Sequence, residues 1–395
     1  MKIARLISLT ALGLVPALGH AQSVVTLYGV VDEGLSYTTN SGGGRQWAMA
    51  TGVLQGSRWG LRGSEDLGGG MKAIFMLENG FDISTGKAQQ GGLEFGRQAY
   101  VGLADRVLGT VTLGRQYDSV VDYAGPFSDR GLGGGYIAAH PGDIDNFNNA
   151  YRANNSVKYT SPDYSGFHYG GLYSLGGVSG AITRNQVWSA GAGYKYGPAA
   201  LAVAYLNARN PNVGFFGNSS TTTATATTSS VTSPVYSGFL SARTYQVIAA
   251  GGSMAFGATT VSATYSNIQF MHLGDTTYSG PNASGYTGTA HFNNGEINAV
   301  FHYTPALSFN AAYDYLKSGH VHSSTGENDG ATYQQGTVGA DYAFSKATDV
   351  YILGAYQHAS GTDSRNKAAV ASINGLTAST TNSQATIHIG LRHKF

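Results

Sequence analysis

Apolar residues recur at every second position along much of this chain, and no apolar run reaches the 18 or so residues a membrane-spanning helix needs. At 307–315, Leu307, Phe309, Ala311, Tyr313 and Tyr315 fall on one face, and Ser308, Asn310, Ala312 and Asp314 on the other. Residues 337–344 repeat the pattern, with Val338, Ala340, Tyr342 and Phe344 opposite Thr337, Gly339, Asp341 and Ala343. At the C-terminus Ala385, Ile387, Ile389, Leu391, His393 and Phe395 alternate with Thr386, His388, Gly390, Arg392 and Lys394. A period of two means strands with one apolar and one polar face. A soluble sandwich would bury the apolar face; a membrane barrel would turn it to lipid and line a wet lumen with the polar one.

Composition separates these two architectures. Charged residues make up 11% of the chain, against roughly 25% in an ordinary soluble protein, and there are 26 Tyr and 57 Gly. So little charge does not suit a soluble enzyme of this length, and so many aromatics do not suit a disordered chain. The absence of cysteine excludes a disulfide scaffold and a thiolate metal site. A formal net charge of +1 argues against a nucleic-acid partner. Lys2 and Arg5, the apolar stretch 6–18 and the small residues around Ala21 read as a cleaved secretory signal over 1–21, with the mature chain starting at Gln22. The barrel is therefore the expected architecture.

Turn spacing gives its size. Short turn signals recur at 65–70, 104–109, 161–166, 196–199, 256–259, 304–307 and 344–348, and cut the chain into eight hairpins. Longer polar loops fall near 39–51, 85–91, 118–150, 177–186, 209–242, 272–291, 318–331 and 359–383. Eight hairpins predict a 16-stranded antiparallel transmembrane β-barrel, short turns at one end and long loops at the other, spanning 22–395. Closure removes every sheet edge, as hydrocarbon demands. Residues 349–358 (DVYILGAYQH) are apolar on both faces, so alternation does not orient that strand. The Thr/Ser/Ala stretch in loop 209–242 reads as a solvated connector.

The segments QSVVTLYGVVDEGL at the expected mature start, SRWGLRGSEDLGGGMKAIFMLENGF (57–81), FGRQAYVGLA (95–104), LGRQYD (113–118) and the terminal HKF resemble the general porins of Gram-negative outer membranes, the beta-proteobacterial group above all. The resemblance implies a homotrimer of barrels in outer-membrane lipid and lipopolysaccharide, each barrel a water-filled channel for small hydrophilic solutes and ions. It implies that the loop at about 118–150 folds inward as a constriction. It also implies insertion by the barrel assembly machinery, with Phe395 as the assembly signal.

Parity then nominates the constriction. Arg58 and Arg62 alternate with Trp59 and Leu61, and an arginine facing mid-bilayer lipid would cost roughly 2–4 kcal/mol, so both are expected in the lumen. Glu78 lies opposite Phe75 and Leu77, and Arg152 and Lys158 lie opposite Tyr151, Val157 and Tyr159. By motif position, Arg58, Arg97 and Arg152 match the basic wall of general porins, although poor alternation around Arg97 leaves its parity open. Arg115 shares parity with Val111 and Leu113 and is expected at a strand end outside the pore. General porins often carry Pro-Glu-Phe-Gly in the constriction loop; this chain has GPFSDRG, leaving Asp122 and Asp129 as the expected acidic partners. Arginines on the wall against carboxylates on the loop would set up a transverse field that biases ion passage toward anions. The plain alternative for each arginine is a solvated wall residue with no part in selectivity.

No cofactor or metal is implied, and no motif fixes a nucleophile–base pair for an enzyme. His320 and His322 could share a metal but sit at a loop start, where a solvated pair is the simpler reading. An adhesin acting through its long loops is the remaining alternative.

Overall fold

The computed structural model describes residues 23–217, 228–275 and 277–395. The signal segment 1–21 and most of the Thr/Ser/Ala stretch lie outside the described residues. Seventeen strands form one antiparallel sheet: β1 (Ser23–Ser41), β2 (Gly44–Thr51), β3 (Arg58–Gly68), β4 (Met71–Gly80), β5 (Gln98–Asp105), β6 (Gly109–Gln116), β7 (Ala153–Thr160), β8 (Phe167–Ser174), β9 (Val187–Tyr196), β10 (Ala199–Arg209), β11 (Thr244–Phe256), β12 (Thr259–Leu273), β13 (Gly288–His302), β14 (Leu307–Ser318), β15 (Ala331–Ala343), β16 (Thr348–Gly361) and β17 (Ser383–Lys394). The long β1 pairs with β2 through its second half and with β3 through its first, so β2 and β3 together make one crossing, interrupted at 52–57. The barrel therefore has 16 crossings. It closes where β1 meets β17, from Val30 opposite Lys394 to Thr38 opposite Thr386.

All seven short turns fall where the turn residues predicted. The first long loop does not: 39–51 is almost wholly strand, turning only at Gly42 and Gly43. Outward positions carry the apolar sets read from the alternation, among them Phe309, Tyr313, Val338, Tyr342, Ile387 and Leu391. Outward aromatics gather beside the short turns, at Tyr196, Phe256, Tyr303 and Phe344, as an interfacial girdle requires.

Among the described residues, two apolar clusters lie inside the barrel. Tyr351 and Leu353 point inward from β16 and pack with Val53, Ile137 and Ile373. This explains why 349–358 is apolar on both faces: its inner face meets folded chain, not water. A larger cluster gathers Phe215, Phe216, Tyr236 and Phe239 of loop 209–242 against Tyr245, Phe270 and Phe292 of the wall. The solvated-connector reading of the Thr/Ser/Ala stretch falls mostly outside the described residues; the aromatic segments on either side of it are buried. The short runs GFFG and VYSGFL supply enough apolar area to fold them inward.

Candidate functional site: a charged constriction

Between β6 and β7 the chain leaves the wall and folds into the lumen through five single helical turns, Val120–Ala124, Gly125–Phe127, Arg130–Gly134, Tyr136–Ala138 and Pro141–Asp143. Glycines and short polar residues let it bend tightly, and wall hydrogen bonds fix its course. Ser119 N–H donates to Ser189 Oγ at 3.0 Å, and Asn298 Nδ2 donates to Phe127 O at 2.8 Å. Gln335 Nε2 donates to Ala139 O at 3.1 Å, and Tyr245 Oη to Ile144 O at 2.6 Å. Each such bond contributes on the order of 1 kcal/mol, so the set holds the loop firmly.

The loop narrows the barrel against β3–β7. A cavity of about 580 Å³ remains, lined on the wall side by Arg58, Glu78, Arg97 and Gln98, on the loop side by Val121, Asp122 and Arg130, and across the lumen by Asp341 and Arg392. A second cavity of about 450 Å³ is lined by Arg97, Arg130, Arg152, Asn148 and Asn149.

Glu78 is the hub of the wall cluster. Arg97 Nε donates to its Oε1 at 2.8 Å, Arg58 Nε lies 3.4 Å from its Oε2, and Tyr28 Oη donates to the same Oε2 at 2.9 Å. Arg97 also donates to Tyr117 Oη at 3.2 Å. It swings into this position over Gly80, where a Cβ would approach its Cγ to 3.1 Å. The structure thus brings Arg97 into the lumen, which parity had left open.

The other nominated residues divide. Asp122 and Lys158 form an ion pair, and Lys158 Nζ also donates to Tyr117 O at 3.0 Å. Arg152 is buried with its guanidinium 5.6 Å from the Tyr117 ring centre, and it donates to Ala150 O at 2.9 Å. Burial lowers Arg152 to about 10, so it stays charged at neutral pH. Arg62 faces the lumen but does not reach the opening; it lies toward the short turn, 5.3 Å from the centre of the Tyr28 ring. Asp129 is a correction. It is fully buried, its Oδ1 accepts from Asn310 at 2.9 Å and its Oδ2 from Thr337 at 2.6 Å, so it fastens the loop to the wall and presents no charge to the channel. Burial holds its carboxyl up at about 6.

Arg115 stands at the end of β6 and lines neither cavity, as expected, but it does not keep the outward face of Val111 and Leu113. The β6–β7 register shifts between Gly114 and Gln116, which turns Arg115 inward to donate to Gly96 O at 2.9 Å. A bulge reverses side-chain alternation, and nothing in the sequence marked it. Two channel arginines were also missed. Arg130 was noted only among the loop carboxylates, and Arg392 lies on a strand nominated for its apolar face alone. Arg392 is paired with Asp349 at 2.9 Å and Asp341 at 3.4 Å. Its parity opposite Leu391 was the available signal.

Residues 8–362 match the model of the Gram-negative porin family. The chain belongs to that family. This porin is 36% identical over 218 residues to an outer membrane porin protein of Bordetella pertussis, a match covering 48% of this chain and 56% of the relative, so it spans little more than half of that relative's length. It is 27% identical over 368 residues to the major outer membrane protein P.IA of Neisseria meningitidis serogroup C, covering 86% of this chain and 82% of the relative. Its barrel superposes on an anion-selective porin from Comamonas acidovorans with a TM-score of 0.70 at 21% identity, covering 95% of this chain and 100% of that one. At that identity the likeness shows the shared fold. Membership of the family and the lipid-facing apolar belt place the barrel in the outer membrane.

Proposed function

We propose that this porin is a passive diffusion channel that prefers anions, with the constriction built by Arg58, Arg97, Arg130 and Arg152 against Glu78 and Asp122. One observation carries the reading. Five arginines line the two cavities (Arg58, Arg97, Arg130, Arg152, Arg392), against three carboxylates (Glu78, Asp122, Asp341). Each of those carboxylates is already ion-paired: Glu78 with Arg58 and Arg97, Asp122 with Lys158, Asp341 with Arg392. Among the described residues, no carboxylate lies within 4 Å of Arg130 or Arg152. Their charge faces a narrow space between low-dielectric walls, where it acts with little screening. A small anion gains attraction there that a cation loses.

The chain is exported with cleavage after Ala21, enters outer-membrane lipid and lipopolysaccharide through the barrel assembly machinery, and works as a homotrimer. A trimer form recorded for an outer membrane protein of Vibrio cholerae of related fold supports the trimer. Nothing favours the adhesin reading. The test is the zero-current potential of the purified protein in a planar bilayer under a salt gradient. An anion-preferring sign supports the proposal; no conductance, or a cation-preferring sign, refutes it.

A further inference from the structure

Beneath the tip of the inward loop, away from the channel opening, His140 meets Glu296 of β13 and Asp314 of β14. All three are buried, at 1%, 4% and 3% exposure. His140 Nε2 lies 3.3 Å from Glu296 Oε2 and 3.6 Å from Asp314 Oδ2, yet makes no hydrogen bond. Glu296 Oε2 and Asp314 Oδ1 have no hydrogen-bond partner either. Their other oxygens are occupied. Glu296 Oε1 accepts from Asp129 N–H and Asn298 Nδ2, and Asp314 Oδ2 accepts from Asn294 Nδ2. The second imidazole nitrogen is occupied too, with His140 Nδ1 2.7 Å from Asp145 Oδ2, which also accepts from Ser266 Oγ. Asn294 and Asn298, flanking Glu296 on the same strand face, each leave a side-chain oxygen unpartnered.

We infer that His140, Glu296 and Asp314 form a binding site for one divalent transition-metal ion of the zinc type, which fastens the inward loop to the barrel wall. Their candidate ligand atoms all lie within 4.8 Å of one another. Bonds of about 2.0–2.2 Å in a tetrahedron put ligand atoms about 3.3–3.6 Å apart. The spacings from His140 Nε2 to Glu296 Oε2 and to Asp314 Oδ2 fall in that range; Asp314 Oδ2 would ligate through the lone pair that Asn294 does not use. The Asp145 contact is the carboxylate–histidine arrangement that fixes the tautomer and leaves Nε2 free to ligate. Charge argues the same way. Three carboxylates and one imidazole are buried together, and a dication balances two of the carboxylates where a single imidazolium balances one. Donors of nitrogen and oxygen, with no sulfur, suit zinc, nickel or manganese.

The test uses the full chain folded from denaturant into detergent with Zn²⁺ present and then passed through gel filtration. The exposed group His320, His322 and Glu327 is a competing site. All samples therefore carry His320→Asn and His322→Asn. This chain should retain about one zinc, and adding His140→Gln or Glu296→Gln should lower retention about tenfold. Should either added variant fail to fold, X-ray absorption on the parent decides instead. One imidazole nitrogen with carboxylate oxygens at about 2.0–2.2 Å supports the site. No retained metal, coordination by oxygen alone, or retention unchanged in both folded variants overturns it, and leaves a proton as the balancing charge.

Discussion

Glu78 sits where two arginines converge, with its side chain 6% exposed. Its substitution therefore reads both stability and selectivity. Glu78→Gln leaves Arg58 and Arg97 without their counter-charge, and breaking a buried pair in this way costs roughly 3–5 kcal/mol. The variant should unfold at lower denaturant concentration, and channels that do form should show a zero-current potential shifted further toward anions. A shift toward cations would mean Glu78 does not face the conduction path. Asp118 gives a pH-dependent contact. It accepts from Val120 N–H at 2.8 Å and from Asn146 Nδ2 at 2.7 Å, and burial pushes its carboxyl up to about 6. A carboxyl raised above its unfolded value of about 3.9 holds its proton more tightly when folded. Its contribution is thus full below about pH 4 and lost as pH climbs through about 6. The nearby charge of Asp122 acts in the same direction. Amide exchange over 118–124, corrected for intrinsic rate, should be faster at pH 7 than at pH 5, and Asp118→Asn should flatten that difference.

The inward loop keeps its course through its wall contacts, since its helical turns are too short to be stable alone. Asp129→Ala removes the acceptor for half-buried Asn310 and buried Thr337, and leaving the buried Thr337 hydroxyl unmatched costs about 1–3 kcal/mol. Single-channel records of this variant should show larger current fluctuations than the parent, and equally quiet traces would mean the other contacts suffice. Asp129 also shows where sequence reading stops. Turns and alternation are local signals, so strand number, turn positions and outward faces were legible. The loop carboxylates have no periodicity to orient them, so whether Asp122 or Asp129 meets the channel depends on contacts with Lys158, Asn310 and Thr337 far away in the chain. The orientation of β16 stayed open for the same reason, because a two-faced strand signals a covered face without saying what covers it.

For the barrel as a whole, the seam between the first and last strands decides whether there is a channel at all. Phe395 N–H donates to Gly29 O at 3.1 Å and its carbonyl accepts from Gly29 N–H at 2.9 Å, while its ring covers Gly29 so closely that a Cβ there would collide with it. Gly29→Val should reduce the yield of folded, heat-modifiable protein, and deletion of Phe395 should leave the chain periplasmic or degraded; normal surface levels of both would remove the terminal phenylalanine from any part in assembly. With the seam closed, the proposed anion preference rests on Arg130 and Arg152, which among the described residues have no carboxylate within 4 Å. The most direct measurement is the zero-current potential across a planar bilayer under a salt gradient, compared between the parent and Arg130→Ser/Arg152→Ser. The parent should prefer anions and the double variant should move toward cations, by an amount that shrinks as the salt concentration rises. A double variant whose potential at low salt coincides with that of the parent would contradict the assignment of selectivity to these two arginines.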